Sequence, residues 1–333
     1  MQKVAALIKS KFSKFNLGSL LSNWGSVIAL IVVALFFIIR MPEMFLMPSN
    51  ITTIFRSISV TTIMAIGLTF TLAVGGFDLS AGSMASWVGV LVISFFTWYE
   101  MNMWQALPLA ILAAIVTSMI SMLLIIVFKV PDLLATLAVM FLLDGLSLTY
   151  SGGGALSEGW PRPNGAPAEG IIPDAFQQMG QAPAIIIIML VVVVIAHIIL
   201  TYTKFGRFIY ATGENKVAAK LSGIPVKRYR LYGGIISVVF IGLAGLMVAS
   251  RNMSAQMMGA NGFSMPAISA VFIGRSVAGA EKPNAIGTFI GATLVGILEN
   301  GLIMMSVPYY SMNGVKGLVL AIALASAYYS SKE

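Results

Sequence analysis

Residues 183–202 read PAIIIIMLVVVVIAHIILTY, a run without one Asp, Glu, Lys or Arg. About 20 apolar residues in a helix match the hydrocarbon thickness of a bilayer. In that medium each backbone N–H and C=O needs a partner within the segment, so a lone apolar run of this length must be helical. Residues 26–40 and 231–249 are equally apolar. Six further runs are broken by Gly, Ser, Thr or a single charge: 51–74, 79–98, 105–128, 131–150, 284–306 and 309–329. A shorter, Gly-interrupted segment covers 263–280. The pattern predicts an all-α polytopic membrane protein with about 10 transmembrane or partly re-entrant helices. It forms a single transmembrane domain over 26–330, after an N-terminal segment 1–25 with Lys3, Lys9, Lys11 and Lys14. Val4, Ile8, Phe12 and Phe15 recur there at helical spacing, which suits an amphipathic helix on the membrane surface; a frayed tail is the alternative.

Charge sets the orientation. The chain is 58% hydrophobic and 10% charged, with net charge +8. Its basic residues lie between apolar runs, which is the pattern of orientation in lipid rather than of nucleic-acid binding. With the N-terminus inside, fifteen of the 20 Lys and Arg fall on the inner side. Arg40, Arg162 and Arg251 fall outside, and Arg56 and Lys316 within spans. Both termini are therefore expected in the cytoplasm. Residues 151–182 form a Gly- and Pro-rich outer loop, too poor in apolar residues for a core of its own. "VGGFDLSAG" from Val74 and "IGRSVAGAE" from Ile273 each break an apolar run with Gly and a charge, as the halves of an inverted repeat would.

Chemistry by the chain itself is restricted. There is no Cys and one His, which excludes disulfides and multi-histidine metal sites. No G-x-x-x-x-G-K-[ST] loop is present, so this chain is not expected to hydrolyse ATP or to bind a cofactor. His197 reads as a hydrogen-bonded structural residue, with a proton relay as the alternative. Arg56, Asp78, Asp144, Glu299 and Lys316 fall in or beside spans. A charge at the bilayer centre costs about 3 kcal/mol, so each should face protein or a wet pathway. Arg56, Asp78, Ser83, Asp144, Glu299 and Asn300 are the candidate path residues, with Thr69, Thr71, Ser86 and Ser269 as weaker polar contacts. Pairing of Arg56 with Asp78 or Asp144 is the alternative. Asp78 also suits a helix-end role, its carboxylate capping a helix that starts near Ser80.

The cytoplasmic loop 203–230 contains the most structured polar stretch, ATGENKVAAKLSGIPVKRYR from Ala211. Asn215 is an N-cap, Gly223 a C-cap residue, and Pro225 a stop. Val217, Leu221 and Ile224 make one apolar stripe. A helix this short is not stable alone in water. It docks on the membrane surface or on a soluble partner, or else the loop merely orients the chain.

GENKVAAKLSGIPV at 213–226 resembles the cytoplasmic loop G-x-N-x-x-A-A-x-x-S-G-I-x-V of the ribose-type permeases of ABC importers. GGFDLSAGS at 75–83 is similar to that family's G-G-I-D-L-S-V-G-S. AISAVFIGRSVAGA at 267–280 and IGTFIGATLVGILENGL at 286–302 extend the likeness over residues from about 45 to the end. The resemblance implies a permease subunit in the bacterial cytoplasmic (inner) membrane. It would work as a pair, of identical copies rather than paralogues. A separate cytoplasmic ATPase would use ATP and Mg²⁺, and a periplasmic or lipid-anchored binding protein would deliver the solute. It also implies that Glu214, Asn215, Val217, Ala218, Leu221, Ser222, Gly223 and Ile224 form the helix that couples to the ATPase. A monosaccharide is the expected solute, with nucleosides, a furanose-derived signal and polyols open. The chain departs from the family at Gly274–Glu281, where G-G-T-S-L-x-G-G is usual, and at Glu299. An ion-gradient-driven carrier is the rival reading, supported by Asp144 and Glu299. An intramembrane enzyme lacks any nucleophile–base or metal set.

Overall fold

The computed structural model describes residues 17–275, 277, 282–308 and, within 310–321, residues 310–312, 314, 315, 317, 318 and 321, with side chains from Trp24 onward. The expected amphipathic segment, the last span at 309–329 for the most part, Lys316, and the departure at 274–281 except Gly274, Arg275 and Val277 lie outside the described residues.

Nine of the expected segments are helices: α1 Leu17–Arg40, α2 Pro48–Ala73, α3 Ala81–Thr97, α4 Met103–Ile126, α5 Asp132–Ser151, α6 Ala184–Tyr202, α9 Val226–Asn252, α10 Ser264–Gly274 and α11 Ala285–Met304. Two cytoplasmic helices, α7 Lys204–Glu214 and α8 Lys216–Leu221, lie between α6 and α9. Among the described residues six helices are long and apolar enough to cross a membrane: α2, α4, α5, α6, α9 and α11. Their ends are set by local chemistry. Asn102, Thr203 and Asn284 cap the N-termini of α4, α7 and α11 by accepting from the N–H groups of Gln105, Gly206 and Gly287. Pro48 takes the first position of α2, where its missing N–H costs nothing. Gly152, at φ +67°, ends α5.

Burial sorts the helices into a centre and a rim. In α2 and α9, 67% of the spanning window is buried, against 28% in α4 and 33% in α5 and α6. The rim helices therefore keep the apolar faces that lipid would cover. α2 and α9 pack on each other, Gly67 of α2 lying against Ser237 and Ile241 of α9. The short helix after each crosses to the other: α3 packs on α9, and α10 on α2. Gly245 admits the first contact, since any Cβ there would run into the Ala85 carbonyl. This exchange is the arrangement an inverted repeat generates. The break after α9 lies at 253–263, so by position its counterpart is the 74–80 turn after α2. The sequence pairing of 74–82 with 273–281 is a different correspondence, and most of 276–281 lies outside the described residues. Ala260 N–H bonds Ser86 Oγ at 2.9 Å, and Asn261 lies against Gly82. The outer segment 253–263 thus folds back beside the first half of α3.

Sidedness is internally consistent. The outer loop pairs as β1 Leu156–Ser157 with β2 Ser254–Ala255, antiparallel, and Arg162 donates to the Trp98 carbonyl. At the opposite end α7, the 74–80 turn, the start of α5 and residues 282–284 meet.

Candidate functional site

The short helix α8 is built as its sequence dictates. Asn215 Oδ1 accepts the N–H groups of Val217 and Ala218, both at 3.0 Å. At the other end Gly223, at φ +80°, turns the chain. Gly223 N–H then bonds Lys220 O at 3.1 Å and Ile224 N–H bonds Ala219 O at 3.0 Å. This double closure satisfies carbonyls that would otherwise be orphaned, and only a residue tolerant of positive φ permits it. Ala219 is buried and Ile224 half-buried, but Val217 is 69% and Leu221 is 85% exposed. Two large apolar side chains thus project from a doubly capped helix with nothing among the described residues to cover them.

Its flanks are anchored. Gly213 packs on the backbone of Ala73 and Gly75, so closely that a Cβ would collide with the Ala73 carbonyl. Tyr210 Oη donates to Pro283 O at 2.8 Å. Burial pushes this phenol up to about 12, so it stays a donor at neutral pH. Glu214 pairs with Lys282, whose ammonium also lies 5.6 Å from the centre of the Tyr210 ring. On the far side Arg230 of α9 pairs with Asp132, the first residue of α5. Sequence reading missed Asp132; its one signal was a carboxylate opening an apolar run, where the helix dipole favours it.

The proposed path residues scatter. Asp78 accepts from Ser80 N–H at 2.8 Å and from Ser80 Oγ at 2.6 Å, at the entrance to α3. Asp144 is 7% exposed, in the middle of α5, and Ser83 is 1% exposed with no hydrogen-bond partner for its hydroxyl among the described residues. Asn300 is spent on Asn50 Oδ1 at 2.9 Å, Thr69 on Thr288 at 2.8 Å, and Ser269 on Met265 O at 2.7 Å. The first two tie α11 to α2, and the third bonds back within α10. Thr71 lines the inner cavity described below, and Glu299 is half-buried toward the outer end of α11. His197 Nδ1 lies 3.3 Å from Thr201 Oγ1, as a structural residue would.

Arg56 pairs with neither Asp78 nor Asp144; the two ion pairs among the described residues are elsewhere. Geometry is the reason. Seventeen residues of α2 separate Arg56 from Ala73, about 26 Å at 1.5 Å per residue, so Arg56 and Asp78 sit at opposite ends. Asp144 rides on α5, which packs on α3 and α4, whereas α2 packs on α6, α9, α10 and α11.

Residues 50–324 match the family described as branched-chain amino acid transport system / permease component. The ribose import permease protein RbsC of Haemophilus influenzae is 33% identical over 98% of this chain and 100% of its own length. The protein of that name in Bacillus subtilis is 30% identical over 95% of this chain and 96% of its own length. The L-arabinose transport system permease protein AraH of Escherichia coli is 28% identical, over 96% and 94%. No solved structure matches. A permease component is one part of a multi-part system, which sets the ion-gradient carrier aside. With its apolar spans, its capped cytoplasmic helix and these relatives, the chain belongs to the branched-chain amino acid transport system / permease component family, as the inner-membrane permease subunit of an ABC importer and not an enzyme.

Proposed function

We propose that the solute is a pentose or a closely similar monosaccharide, and that the α8 helix is where a separate ATPase engages the chain. The solute class rests on the relatives named for ribose and arabinose import. The docking role rests on one observation, the exposure of Val217 and Leu221 on a helix capped at both ends. Each large apolar side chain moved from water into a groove contributes about 1.5–3 kcal/mol, enough for two of them to seat a rigid lever. Asn215, Ser222 and Gly223 hold the helix, Ala218 lets a partner approach closely, and Ile224 closes its base. Glu214 belongs to the anchor on Lys282.

In this reading the pair of ATPase subunits uses ATP and Mg²⁺, two copies of this chain form the pore, and a binding protein delivers the sugar to the outer face. Buried Ser83 and Asp144 are its best path contacts, because each is a polar group inside the bundle outside both ion pairs.

The test is co-purification of the chain with its ATPase in nanodiscs, with and without Leu221→Asp. Co-elution with stimulated ATP hydrolysis is expected for the parent chain, and loss of both for the variant with the chain still inserted. Retention by Leu221→Asp would remove α8 as the docking element. Uptake of labelled ribose and arabinose by the reconstituted complex then checks the solute class.

A further inference from the structure

The inner end of the bundle holds a polar junction that docking by itself does not use. After α2 the chain makes the turn 74–80, whose N–H groups need acceptors if they are not to be orphaned. Two of them reach α5. Phe77 N–H bonds Asp132 Oδ2 at 3.3 Å, and Leu79 N–H bonds Thr136 Oγ1 at 3.2 Å. Thr136 also donates to the Asp132 carbonyl at 2.9 Å, which fixes its hydroxyl. The oxygen that holds Phe77 also receives the Arg230 guanidinium.

The other side of the same turn touches the cytoplasmic segment. Gly75, at φ +74°, lies so close to Gly213 that a Cβ would be 3.0 Å from the Gly213 carbonyl oxygen and 3.1 Å from its Cα. Gly213 stands two residues before the Asn215 cap. Arg230 stands five residues after Pro225, beyond the end of α8. Both flanks of α8 therefore return to one turn, through backbone packing at Gly213 and through Arg230–Asp132 at the other. The turn leads directly into α3.

We propose that Asp132 is a positioning residue of transport: its pair with Arg230 is the tie that carries movement of α8 into the 74–80 turn and so into α3. This rests on the docking reading of α8. A charge pair suits the task better than an apolar contact. It contributes little net stability, because desolvation offsets attraction, yet it has a definite made and broken state. A small, mostly apolar cavity beside it is lined by Val74, Phe77, Met122 and Ile125 as well as by Asp78, Asp132 and Arg230, which leaves the pair room to open. Lys216, the first residue of α8, lies within electrostatic reach. Burial and then Arg230 hold its ammonium below the usual range, while Asp132 raises it.

The experiment uses the full importer in proteoliposomes, with labelled ribose as the probe and solute moved per ATP hydrolysed as the readout. Asp132→Asn and Arg230→Gln are each expected to keep ATPase co-elution and to lower the solute-per-ATP ratio about tenfold or more, as breaking a partly buried pair does. The double variant should be no worse than either single one, because both remove the same tie. Arg230→Lys, which keeps the cation, should retain most of the ratio. Thr136→Val, which removes only the Leu79 acceptor, should lower it less. An unchanged ratio in Asp132→Asn would overturn the proposal. So would losses in the double variant that multiply, or uptake, hydrolysis and co-elution falling together in all variants, Arg230→Lys included. Failure of the docking reading shows separately, as co-elution that survives Leu221→Asp.

Discussion

Two ion pairs hold the cytoplasmic segment 203–230, and they are not alike. Arg230–Asp132 joins side chains 15% and 19% exposed, and Asp132 also carries a backbone N–H from another turn. Lys282–Glu214 joins side chains 49% and 58% exposed. Water screens the second and leaves it worth about 0–1 kcal/mol, whatever its geometry. The first cannot be broken from one side without leaving a charge poorly solvated. The α7 flank is therefore held by backbone packing at Gly213 with only a screened charge pair beside it, and the start of α9 by a charge pair largely shielded from water. Between the two, α8 leaves Val217 and Leu221 to solvent. A lever needs this division: a free surface to receive force and a stiff root to pass it on.

The largest effect is expected at Gly213, through which the α7 flank packs on the 74–80 turn. Gly213→Val forces a side chain into the Ala73 carbonyl, and overpacking of this kind costs about 1–3 kcal/mol. Thermal unfolding in detergent should show a clear drop in midpoint, with uptake lost even where the chain still inserts. A smaller effect is expected at Asn215→Ala, which removes the acceptor for two α8 N–H groups. Loss of such a cap costs about 1 kcal/mol, so ATPase capture should weaken several-fold while the bundle's unfolding midpoint holds. Smallest of all is Lys282→Gln. With a largely exposed partner it should shift stability by less than about 1 kcal/mol, and raising the salt should erase the difference. A large effect from Lys282→Gln would mean the two pairs are equivalent after all.

The sequence made some of these features legible and hid others. The α8 helix could be read residue by residue, because Asn215, Gly223 and Pro225 act on neighbours two to four positions away. The helix-end role of Asp78 was legible for the same reason, its acceptor meeting Ser80 two residues on. Asp132 could not be singled out, since its partner is 98 positions distant. The bonds of Thr69 and Asn300 to another helix, and of Ser269 to its own, were not legible, because composition does not show which polar group a side chain will meet. The pairing of Glu214 with Lys282 was not legible either, because Lys282 folds back onto α7 from far along the chain.

By itself the sequence determined that the chain is a bundle of membrane helices, and where most of them begin and end. It also set which loops face inward and which short helix stands apart from the rest. Hydrophobic length, capping and the distribution of Lys and Arg are local or summed properties, and they survive without knowledge of packing. Only the tertiary structure decided that α3 and α10 exchange places on α9 and α2, that Arg56 and Asp78 lie at opposite ends of one helix, and that Arg230 closes on Asp132. Those facts depend on which helix faces meet. In a chain whose helices are apolar almost all round, small residues such as Gly245 and single polar contacts settle that choice, and periodicity does not reveal it.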